Sequence, residues 1–326
     1  MRKAQLHGFG NPADSVSLID VDEPAAPTGT QVLVRIDAAS INPAELLMIQ
    51  GKYASKPPLP APLGFEGAGE VLAVGPQVND LAPGAKVMCL PRESWAERIL
   101  FERGELIALP ADIDIEQAGM LKVNPATALL MLREFKTLQA GDWVIQNAAN
   151  SGVGHNLVQL AHAQGIKTVC VVRRESVAAE LKAIGATEVL VDGPDLVERV
   201  RARVDGALPL AIDAIGGEAT CRLAGCLDDG GAVVNYGLLS GQNCQVSAEQ
   251  LIFRSISLHG FWLTKELRSM PGPDVQALYD ELSASVAAGK LRVPVEKVYP
   301  LRDIAAALDH AMSEGRSGKI LLRPSA

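Results

Sequence analysis

The chain has 326 residues, 48% of them hydrophobic and 21% charged, a balance ordinary for a soluble globular protein long enough to form two domains. Its net charge of −8 and pI of about 5.3 give no overall electrostatic attraction to nucleic acid or to an anionic membrane. Five scattered cysteines without a Cys-x-x-Cys spacing indicate reduced thiols, and no apolar run reaches the roughly 18 residues of a membrane span. We therefore expect a cytoplasmic protein without a targeting segment and without nucleic-acid or membrane partners.

Short β-like runs separated by proline and glycine occupy the first 118 residues, at positions 31–36, 69–74, 86–90 and 106–109. Such runs are typical of strands joined by tight turns. Little in this region resembles the alternation of helices and strands that a parallel sheet requires. Residues 1–118 are therefore predicted to form a small β-rich, barrel-like domain.

Helical and strand patterns alternate from about residue 119 onwards. Strands are predicted at 143–146, 166–172, 188–191, 210–213, 231–236 and 252–261, with helices at 124–132, 155–164, 177–184 and 196–204. This alternation is typical of an α/β fold with a Rossmann nucleotide-binding domain, which we place at residues 119–262. Residues 263–326 contain helices at 274–287 and 304–312 and strands at 295–300 and 319–323, and this tail is expected to return to the first domain.

The segment 143–154, WVIQNAANSGVG, leads from a buried strand into a helix through a run of small residues. Backbone N–H groups of Ser151, Gly152 and Val153 at the helix N-terminus would suit a pyrophosphate, because the positive end of the helix dipole favours an anion there. The loop is not a full G-x-G-x-x-G pattern, since Ala148 and Ala149 stand near its first glycines. Taken alone, it is also compatible with a tight turn that binds nothing.

Arg173 and Arg174 end the second strand of this unit, where an NAD-binding chain usually places an acidic residue for the ribose hydroxyls. Two guanidinium groups suit the 2′-phosphate of NADP(H), because arginine offers planar sets of donors to phosphate oxygens. Glu175 follows directly and could pair with them instead. The pattern favours NADP(H) over NAD(H), with a solvated arginine pair as the alternative.

The domain order, together with residues 68–74 (AGEVLAV) and 81–87 (LAPGAKV), resembles the medium-chain dehydrogenase/reductase superfamily. The resemblance implies that residues 1–118 are a GroES-like catalytic domain. Zinc enzymes of this superfamily bind the metal through two cysteines and a histidine, and the matching positions here are Asn42, Phe65 and Val123. None of these supplies the thiolate or imidazole that zinc prefers, so we expect no catalytic metal.

Tyr53 is the candidate for acid chemistry. Without a metal, an α,β-unsaturated carbonyl is a suitable hydride acceptor, because the charge spreads into an enolate that the protein must stabilise. Tyr53 follows a glycine turn at the end of residues 41–53, INPAELLMIQGKY, and its phenol is a neutral donor at pH 7. The alternative is a tyrosine that only packs under the proline-rich residues 56–62.

Five motifs resemble the mitochondrial-type 2-enoyl thioester reductases: INPAELLMIQGKY, VNPATA at 123–128, VIQNAANSGVG, VVRRE at 171–175 and HGFWL at 259–263. The resemblance implies that Tyr53 is catalytic. Asn42 could orient groups near the nicotinamide or serve only as a turn residue, and Trp262 could wall the acyl cleft or be an ordinary buried aromatic. The implied NADP(H) contacts are Asn124, Thr127, Asn150, Ser151, Gly152, Val153, Arg173, Arg174, Glu175, Tyr236, Gly237, Leu238, Leu239, Phe261, Trp262, Leu263 and Lys319.

The resemblance predicts an NADPH-dependent oxidoreductase that adds hydride to C3 and a proton to C2 of a 2-enoyl thioester of CoA or acyl carrier protein. A zinc-free quinone or enone reductase is the alternative enzyme, and an NADPH-binding sensor or crystallin-like protein is the non-catalytic alternative. Phe65 stands where many relatives have asparagine, so substrate choice remains open. Residues 252–259, apolar and β-branched, are expected to pair with a second copy in a homodimer.

Overall fold

The computed structural model describes all 326 residues, which form two compact units, Met1–Val123 with Pro271–Ala326 and Asn124–Met270. The boundaries expected from the sequence, after residues 118 and 262, lie a few positions before these. None of the helices combines the length and the apolarity needed to cross a membrane.

The first unit begins with short strands and helices of four to seven residues. Strand β3 alternates along its length, with Val32, Val34 and Ile36 fully buried and the residues between them partly exposed, which is why this segment forms a strand with one face in the core. The elements are β1 (Arg2–Leu6), α1 (Pro12–Ser15), β2 (Val16–Asp20), β3 (Gln31–Ser40), α2 (Pro43–Ile49), β4 (Ala61–Pro62), β5 (Gly67–Val74), β6 (Lys86–Cys89), β7 (Arg98–Glu102), β8 (Leu106–Ala108) and α3 (Ile115–Ala118).

The second unit contains the predicted alternation of strands and helices, and the α/β class with a Rossmann sheet is confirmed. Its six strands are parallel in the order β11-β10-β9-β12-β13-β14, the strand order usual for dinucleotide-binding domains. The elements are α4 (Asn124–Glu134), β9 (Trp143–Gln146), α5 (Gly152–Ala163), β10 (Lys167–Val172), α6 (Ala178–Ala183), β11 (Glu188–Val191), α7 (Leu196–Arg201), β12 (Leu210–Asp213), α8 (Glu218–Cys226), β13 (Ala232–Asn235), α9 (Ala248–Ile252), β14 (Ser257–Gly260) and α10 (Leu263–Ser269).

The last residues complete the sheet of the first unit. They form α11 (Gly272–Ala287), β15 (Val295–Pro300), α12 (Ile304–Met312) and β16 (Lys319–Arg323). Strand β16 pairs antiparallel with β3, where Leu321 lies opposite Ser40, and the seven-stranded sheet runs β15-β16-β3-β5-β6-β8 with β7 also paired to β3. The residues of β16 are therefore fixed beside the start of α2.

The predicted strand at residues 252–261 is wrong over its first half. Ser247 and Gln250 form a capping box, each side chain accepting from the other residue's backbone N–H, and this starts helix α9. The helix ends at Ile252, and the strand is only Ser257–Gly260. Apolar Ile252 and Phe253 are 68% and 79% exposed, so their hydrophobicity does not indicate a buried strand.

Candidate active site

The nucleotide loop of the second unit is built by close packing of backbone. Ala148 has a φ of +47°, a left-handed conformation that glycine adopts more easily, at the place where the sequence lacks a glycine. Gly154 allows close approach, because a Cβ there would lie 2.3 Å from the Ala149 carbonyl oxygen. Ser151 caps helix α5 by accepting from the Gly154 N–H at 3.1 Å. The first N–H groups of α5 have no helical acceptors and therefore suit an anion.

Asn124 and Thr127 lie one turn apart at the start of α4, and both are buried. The Nδ2 atom of Asn124 has no hydrogen-bond partner. A buried amide without a partner is costly in a folded protein, and a polar group of a bound cofactor would satisfy it. The Asn124 amide is thus a second observation, independent of the nucleotide loop, that fits binding of a dinucleotide by this unit.

Arg173, Arg174 and Glu175 follow β10 directly, and all three side chains are exposed. Their backbone leaves the strand at Val172 and enters a single 3-10 turn at Glu175–Val177. Because the carboxyl ends of parallel strands share one edge of the sheet, the arginines lie on the same edge as the nucleotide loop. This placement suits recognition of a 2′-phosphate.

The segment after β13 holds the next group of predicted contacts. A hydrogen bond joins Tyr236 to Ser151 of the nucleotide loop, while burial raises the pKa of Tyr236 to about 12. Gly237 passes close to the Ala214 carbonyl oxygen, which a Cβ would approach to 2.5 Å. Leu238 and Leu239 are 50% and 60% exposed, so they do not fill the core.

The other predicted cofactor contacts of this unit lie in the nucleotide loop and at the N-terminal end of α10. Phe261 is buried and packs edge-on against Phe135, with ring centroids 6.4 Å apart. Trp262 is the residue that precedes helix α10, and Leu263 is its first residue. Asn150 is exposed in the nucleotide loop. The roles of these residues in cofactor binding stay predictions.

Sequence reasoning missed Asp213, which organises the strand ends below the loop. Its carboxylate accepts from Thr220 Oγ1 at 2.6 Å, Asn147 Nδ2 at 2.6 Å and Asn235 Nδ2 at 3.0 Å. Burial alone would raise the pKa of Asp213, but these hydrogen bonds and those from two backbone N–H groups lower it below its usual value. The sequence feature that could have identified Asp213 is its position as an acidic residue at the end of the apolar run 210–213.

A buried polar network surrounds Asn42 in the first unit. Its Oδ1 accepts from Lys319 Nζ at 2.5 Å, and its Nδ2 donates to Glu66 Oε1 at 2.7 Å and to Ser40 Oγ at 2.9 Å. Glu66 also accepts from the Val123 backbone N–H at 2.8 Å. Both polar ends of the Asn42 amide are therefore engaged. The structure brings together two predicted site residues, Asn42 and Lys319, through a hydrogen bond that the sequence did not suggest.

Two more charged groups are buried beside this network. Glu45 accepts from the backbone N–H groups of Asn42 and Phe65, and burial raises the pKa of its carboxyl to about 7. Lys122 donates to the carbonyl oxygens of Phe65 and Leu90, and burial lowers its pKa to about 8. Burial likewise lowers the pKa of Lys319. Two carboxyl and two amino groups thus lie together in a low-dielectric interior.

Tyr53 lies just after Gly51, whose φ of +70° makes the predicted turn. The Tyr53 ring packs against Phe65, with centroids 5.8 Å apart and planes inclined by 52°, and it is only partly buried. The guanidinium carbon of Arg92 lies 4.3 Å from the centroid of the same Phe65 ring. The Phe65 ring therefore contacts both the Tyr53 ring and the Arg92 guanidinium.

The positions that match zinc ligands serve other purposes in this chain. Asn42 belongs to the polar network, Phe65 packs with Tyr53 and Arg92, and Val123 gives its backbone N–H to Glu66. No group of three or more His, Cys, Asp or Glu side chains is arranged to hold a metal ion.

Two protein families match the chain. Residues 28–105 match the alcohol dehydrogenase GroES-like domain, and residues 152–281 match the zinc-binding dehydrogenase family. The chain is 38% identical over 322 residues to the mitochondrial enoyl-acyl-carrier-protein reductase of Caenorhabditis elegans, covering 96% of this chain and 92% of that protein. It is 37% identical over 334 residues to the mitochondrial enzyme of the same name from Homo sapiens, covering 98% and 88%.

Solved structures share this fold over nearly the whole chain. The complex of Etr1p with NADP and crotonyl-CoA has a TM-score of 0.88 at 25% identity, covering 99% of both chains. The Candida tropicalis Etr1p/Etr2p heterodimer, a mitochondrial 2-enoyl thioester reductase, also gives 0.88 at 25% identity and the same coverage. The Escherichia coli quinone oxidoreductase with NADPH gives 0.88 at 26% identity, covering 99% and 100%. The chain therefore belongs to the family of the mitochondrial-type enoyl-acyl-carrier-protein reductases, within the medium-chain dehydrogenase/reductase superfamily.

Proposed function

We propose that the protein reduces the C2=C3 double bond of 2-enoyl thioesters with NADPH. Hydride adds to C3, the resulting charge passes through the thioester carbonyl as an enolate, and a proton then adds to C2. The observation that carries the proposal is Tyr53, a partly buried phenol held against Phe65, in a chain that is 38% identical to an enoyl-acyl-carrier-protein reductase over 96% of its length. The acyl carrier is CoA or acyl carrier protein.

Tyr53 supplies the group that this reaction needs. Its ring is held by Phe65, so the hydroxyl needs little reorganisation to donate to the enolate oxygen. A donor aimed at a developing oxyanion stabilises the transition state more than the substrate, and this difference raises kcat. Asn42 acts through Lys319 and Glu66, whose hydrogen bonds occupy its amide, and it is a positioning residue in this proposal.

The cofactor is NADP(H), bound by the second unit. The N–H groups at the start of α5 take the pyrophosphate, Arg173 and Arg174 take the 2′-phosphate, and the Asn124 amide takes a polar group of the nicotinamide half. NADPH supplies the hydride, and these side chains orient it and exclude water. Trp262 walls the acyl site in this proposal.

A quinone or enone reductase is the second candidate. The observation in its favour is the likeness to the Escherichia coli quinone oxidoreductase with NADPH, whose fold matches at a TM-score of 0.88 and 26% identity. The deciding experiment follows NADPH absorbance with crotonyl-CoA, longer enoyl-CoA esters, a quinone and a simple enone. We expect the enoyl-CoA esters to have the highest kcat/KM. Turnover of the quinone alone would establish the second candidate, and NADPH binding without any turnover would point to a sensor.

We also propose that the protein is a homodimer formed through β14. This strand pairs with β13 on one side only, so its outer edge has unpaired N–H and C=O groups. Leu258 in this strand is 40% exposed, and Ile252 and Phe253 shortly before it are 68% and 79% exposed, which is unusual for large apolar side chains. A second copy of the same edge would satisfy the backbone and cover these side chains together.

Leu258→Lys is expected to convert the dimer to a monomer, because lysine on an edge strand opposes pairing with a like edge. Light scattering after gel filtration should give twice 34.4 kDa for the parent and 34.4 kDa for the variant. Val191→Lys is the matched control, since Val191 is a 36% exposed residue of β11 at the opposite edge of the same sheet. A monomeric parent, or dissociation by Val191→Lys alone, would contradict the assignment of this edge.

The proposed location is the cytoplasm, and the proposed context is fatty acid metabolism. All five cysteines are unpaired, and Cys89, Cys170 and Cys226 are buried, which fits a reducing compartment. Reduction of 2-enoyl thioesters saturates an acyl chain and therefore serves chain elongation.

A further inference from the structure

Two consecutive residues of the first unit, Phe65 and Glu66, have their backbone held by side chains from distant parts of the chain. The Phe65 N–H donates to Glu45 Oε1 at 2.8 Å, and the Phe65 carbonyl oxygen accepts from Lys122 Nζ at 2.7 Å. The Glu66 carbonyl oxygen accepts from Ser94 Oγ at 2.6 Å. Phe65 is 4% exposed and Glu66 is fully buried, so water does not compete for these hydrogen bonds. The position of this short segment is therefore fixed within the unit.

The glycines on either side keep the segment close to its neighbours. Gly64 has a φ of +106°, and a Cβ there would lie 2.5 Å from Ser94 Oγ. A Cβ at Gly67 would lie 2.6 Å from the Ser94 Cβ. Both distances are too short for a real Cβ contact, so a side chain at either position would displace the segment between them.

The side chain of Phe65 supports the proposed hydroxyl donor. Its ring centroid lies 5.8 Å from that of Tyr53 and 4.3 Å from the guanidinium carbon of Arg92. Because the backbone is fixed at both its N–H and its C=O, the Phe65 ring cannot move away without breaking buried hydrogen bonds. The Tyr53 ring therefore packs against a side chain whose own position is fixed.

The side chain of Glu66 holds the backbone next to the unpartnered Asn124 amide. Its Oε2 accepts from the Val123 N–H at 2.8 Å, and its Oε1 accepts from Asn42 Nδ2 at 2.7 Å. On the other side, the carbonyl oxygen of the residue before Val123 accepts from the Tyr279 hydroxyl at 3.0 Å. Asn124 follows directly as the first residue of α4, and its Nδ2 has no hydrogen-bond partner. The chain is thus held immediately before the amide that would meet the cofactor.

We infer that Phe65 and Glu66 are positioning residues with separate tasks, Phe65 for the Tyr53 hydroxyl and Glu66 for the Asn124 amide. The inference rests on the proposed function, in which Tyr53 donates to the enolate oxygen and Asn124 binds the nicotinamide half of NADPH. A group that is already in place needs no reorganisation when it binds or reacts, and small displacements are costly. Changes at Phe65 should therefore lower kcat, and changes at Glu66 should weaken NADPH binding.

The first test replaces Phe65 by leucine, which stays apolar and leaves the backbone hydrogen bonds to Glu45 and Lys122 available. We expect kcat for crotonyl-CoA to fall about three- to tenfold while the Kd for NADPH stays unchanged. Phe101→Leu is the matched control, because Phe101 is a buried phenylalanine of β7 in the same core, and it should keep the parental kcat. A parental kcat for Phe65→Leu, or an equal fall for Phe101→Leu, would overturn the inference.

The second test replaces Glu66 by glutamine, which has one accepting oxygen where the carboxyl group has two. This variant cannot keep both the Val123 and the Asn42 hydrogen bonds. We expect the Kd for NADPH, measured by cofactor fluorescence, to rise about three- to tenfold, and kcat at saturating NADPH to change less than the Kd.

Glu97→Gln is the matched control for the second test. Glu97 also accepts with both oxygens, from the backbone N–H and the Nε of Arg2 at 2.9 and 3.0 Å. This control should keep the parental Kd, since neither group touches the predicted cofactor contacts. An equal rise in Kd for Glu97→Gln would show a general loosening of the unit and would refute the task assigned to Glu66.

Tyr279→Phe keeps the test decisive if Glu66→Gln folds poorly. It removes only the hydroxyl that donates to the Lys122 carbonyl oxygen and leaves the ring in the core. The Kd for NADPH should rise about threefold, and a parental Kd would overturn the inference. A parent protein that reduces no enoyl-CoA ester would contradict the proposed function instead, and the Kd measurements would still test Glu66.

Discussion

Replacement of Tyr53 by phenylalanine is expected to lower kcat for crotonyl-CoA by about 10²–10³ while the Kd for NADPH stays unchanged. Phenylalanine keeps the ring that packs 5.8 Å from Phe65 and removes only the hydroxyl. The loss corresponds to roughly 2.7–4 kcal/mol of transition-state stabilisation, because the donor faces charge that develops only during hydride transfer. Stopped-flow or steady-state NADPH absorbance measures the rate.

Tyr299→Phe is the matched control for this change. Tyr299 also belongs to the first unit, and its hydroxyl contacts His310 Nδ1 at 3.1 Å instead of any predicted site residue. It should reduce crotonyl-CoA at the parental rate. If Tyr53→Phe retains the parental kcat, the phenol only packs and the proposed mechanism loses its donor. If thioester turnover falls while a quinone is still reduced at the parental rate, the enolate role is supported, since a hydroquinone anion needs no such donor.

Loss of both Arg173 and Arg174 is expected to raise the KM for NADPH by at least about tenfold and to leave NADH almost unaffected. Each charge-assisted contact to the 2′-phosphate contributes on the order of 1.5–3 kcal/mol, and NADH lacks that phosphate. Both side chains are exposed at the end of β10, so their replacement by alanine should not unfold the protein. Steady-state kinetics with each cofactor gives the two KM values.

Arg201→Ala provides the control for a general loss of positive charge, because Arg201 is an exposed arginine at the end of α7. It should leave the KM for both cofactors unchanged. Equal weakening of NADPH and NADH by the double variant would show that the Arg173 and Arg174 side chains support the loop structurally and do not select the cofactor.

Strands with one dominant pattern were predictable from the sequence. β9, β11, β12, β15 and β16 have the predicted bounds, and all of them except β15 contain a short apolar run. The strands β1 and β2 were not found, since their mixed polar sequences, RKAQL and VSLID, lack a strong alternation. The helix α9 was missed, because no element was predicted for residues 248–251 and a strand was predicted from Ile252, although a capping box marks the start of the helix.

The candidate site likewise has one part that was predictable from the sequence and one part that was not. The nucleotide loop and the arginine pair were predictable because their chemistry lies in consecutive residues. The hydrogen bonds of Asn42 with Glu66 and Lys319 were not predictable, because these residues lie 24 and 277 positions away and are brought to Asn42 by the pairing of β3 with β5 and with β16. Buried hydrogen bonds of this kind depend on tertiary structure, which a local pattern does not encode. Asp213 was missed for the same reason.

Both polar ends of the Asn42 side chain are hydrogen-bonded to residues far away in the sequence. We therefore expect positions 42, 66 and 319 to change together during evolution. Replacing Glu66 or Lys319 alone removes a hydrogen bond of the buried Asn42 amide, at a cost of about 1–3 kcal/mol. An aspartate at position 42 removes the donor, and a lysine there removes the acceptor. In homologous sequences the residues at positions 42, 66 and 319 should therefore vary together. A chimera that takes its last 56 residues from a relative needs that relative's residues at positions 42 and 66 as well.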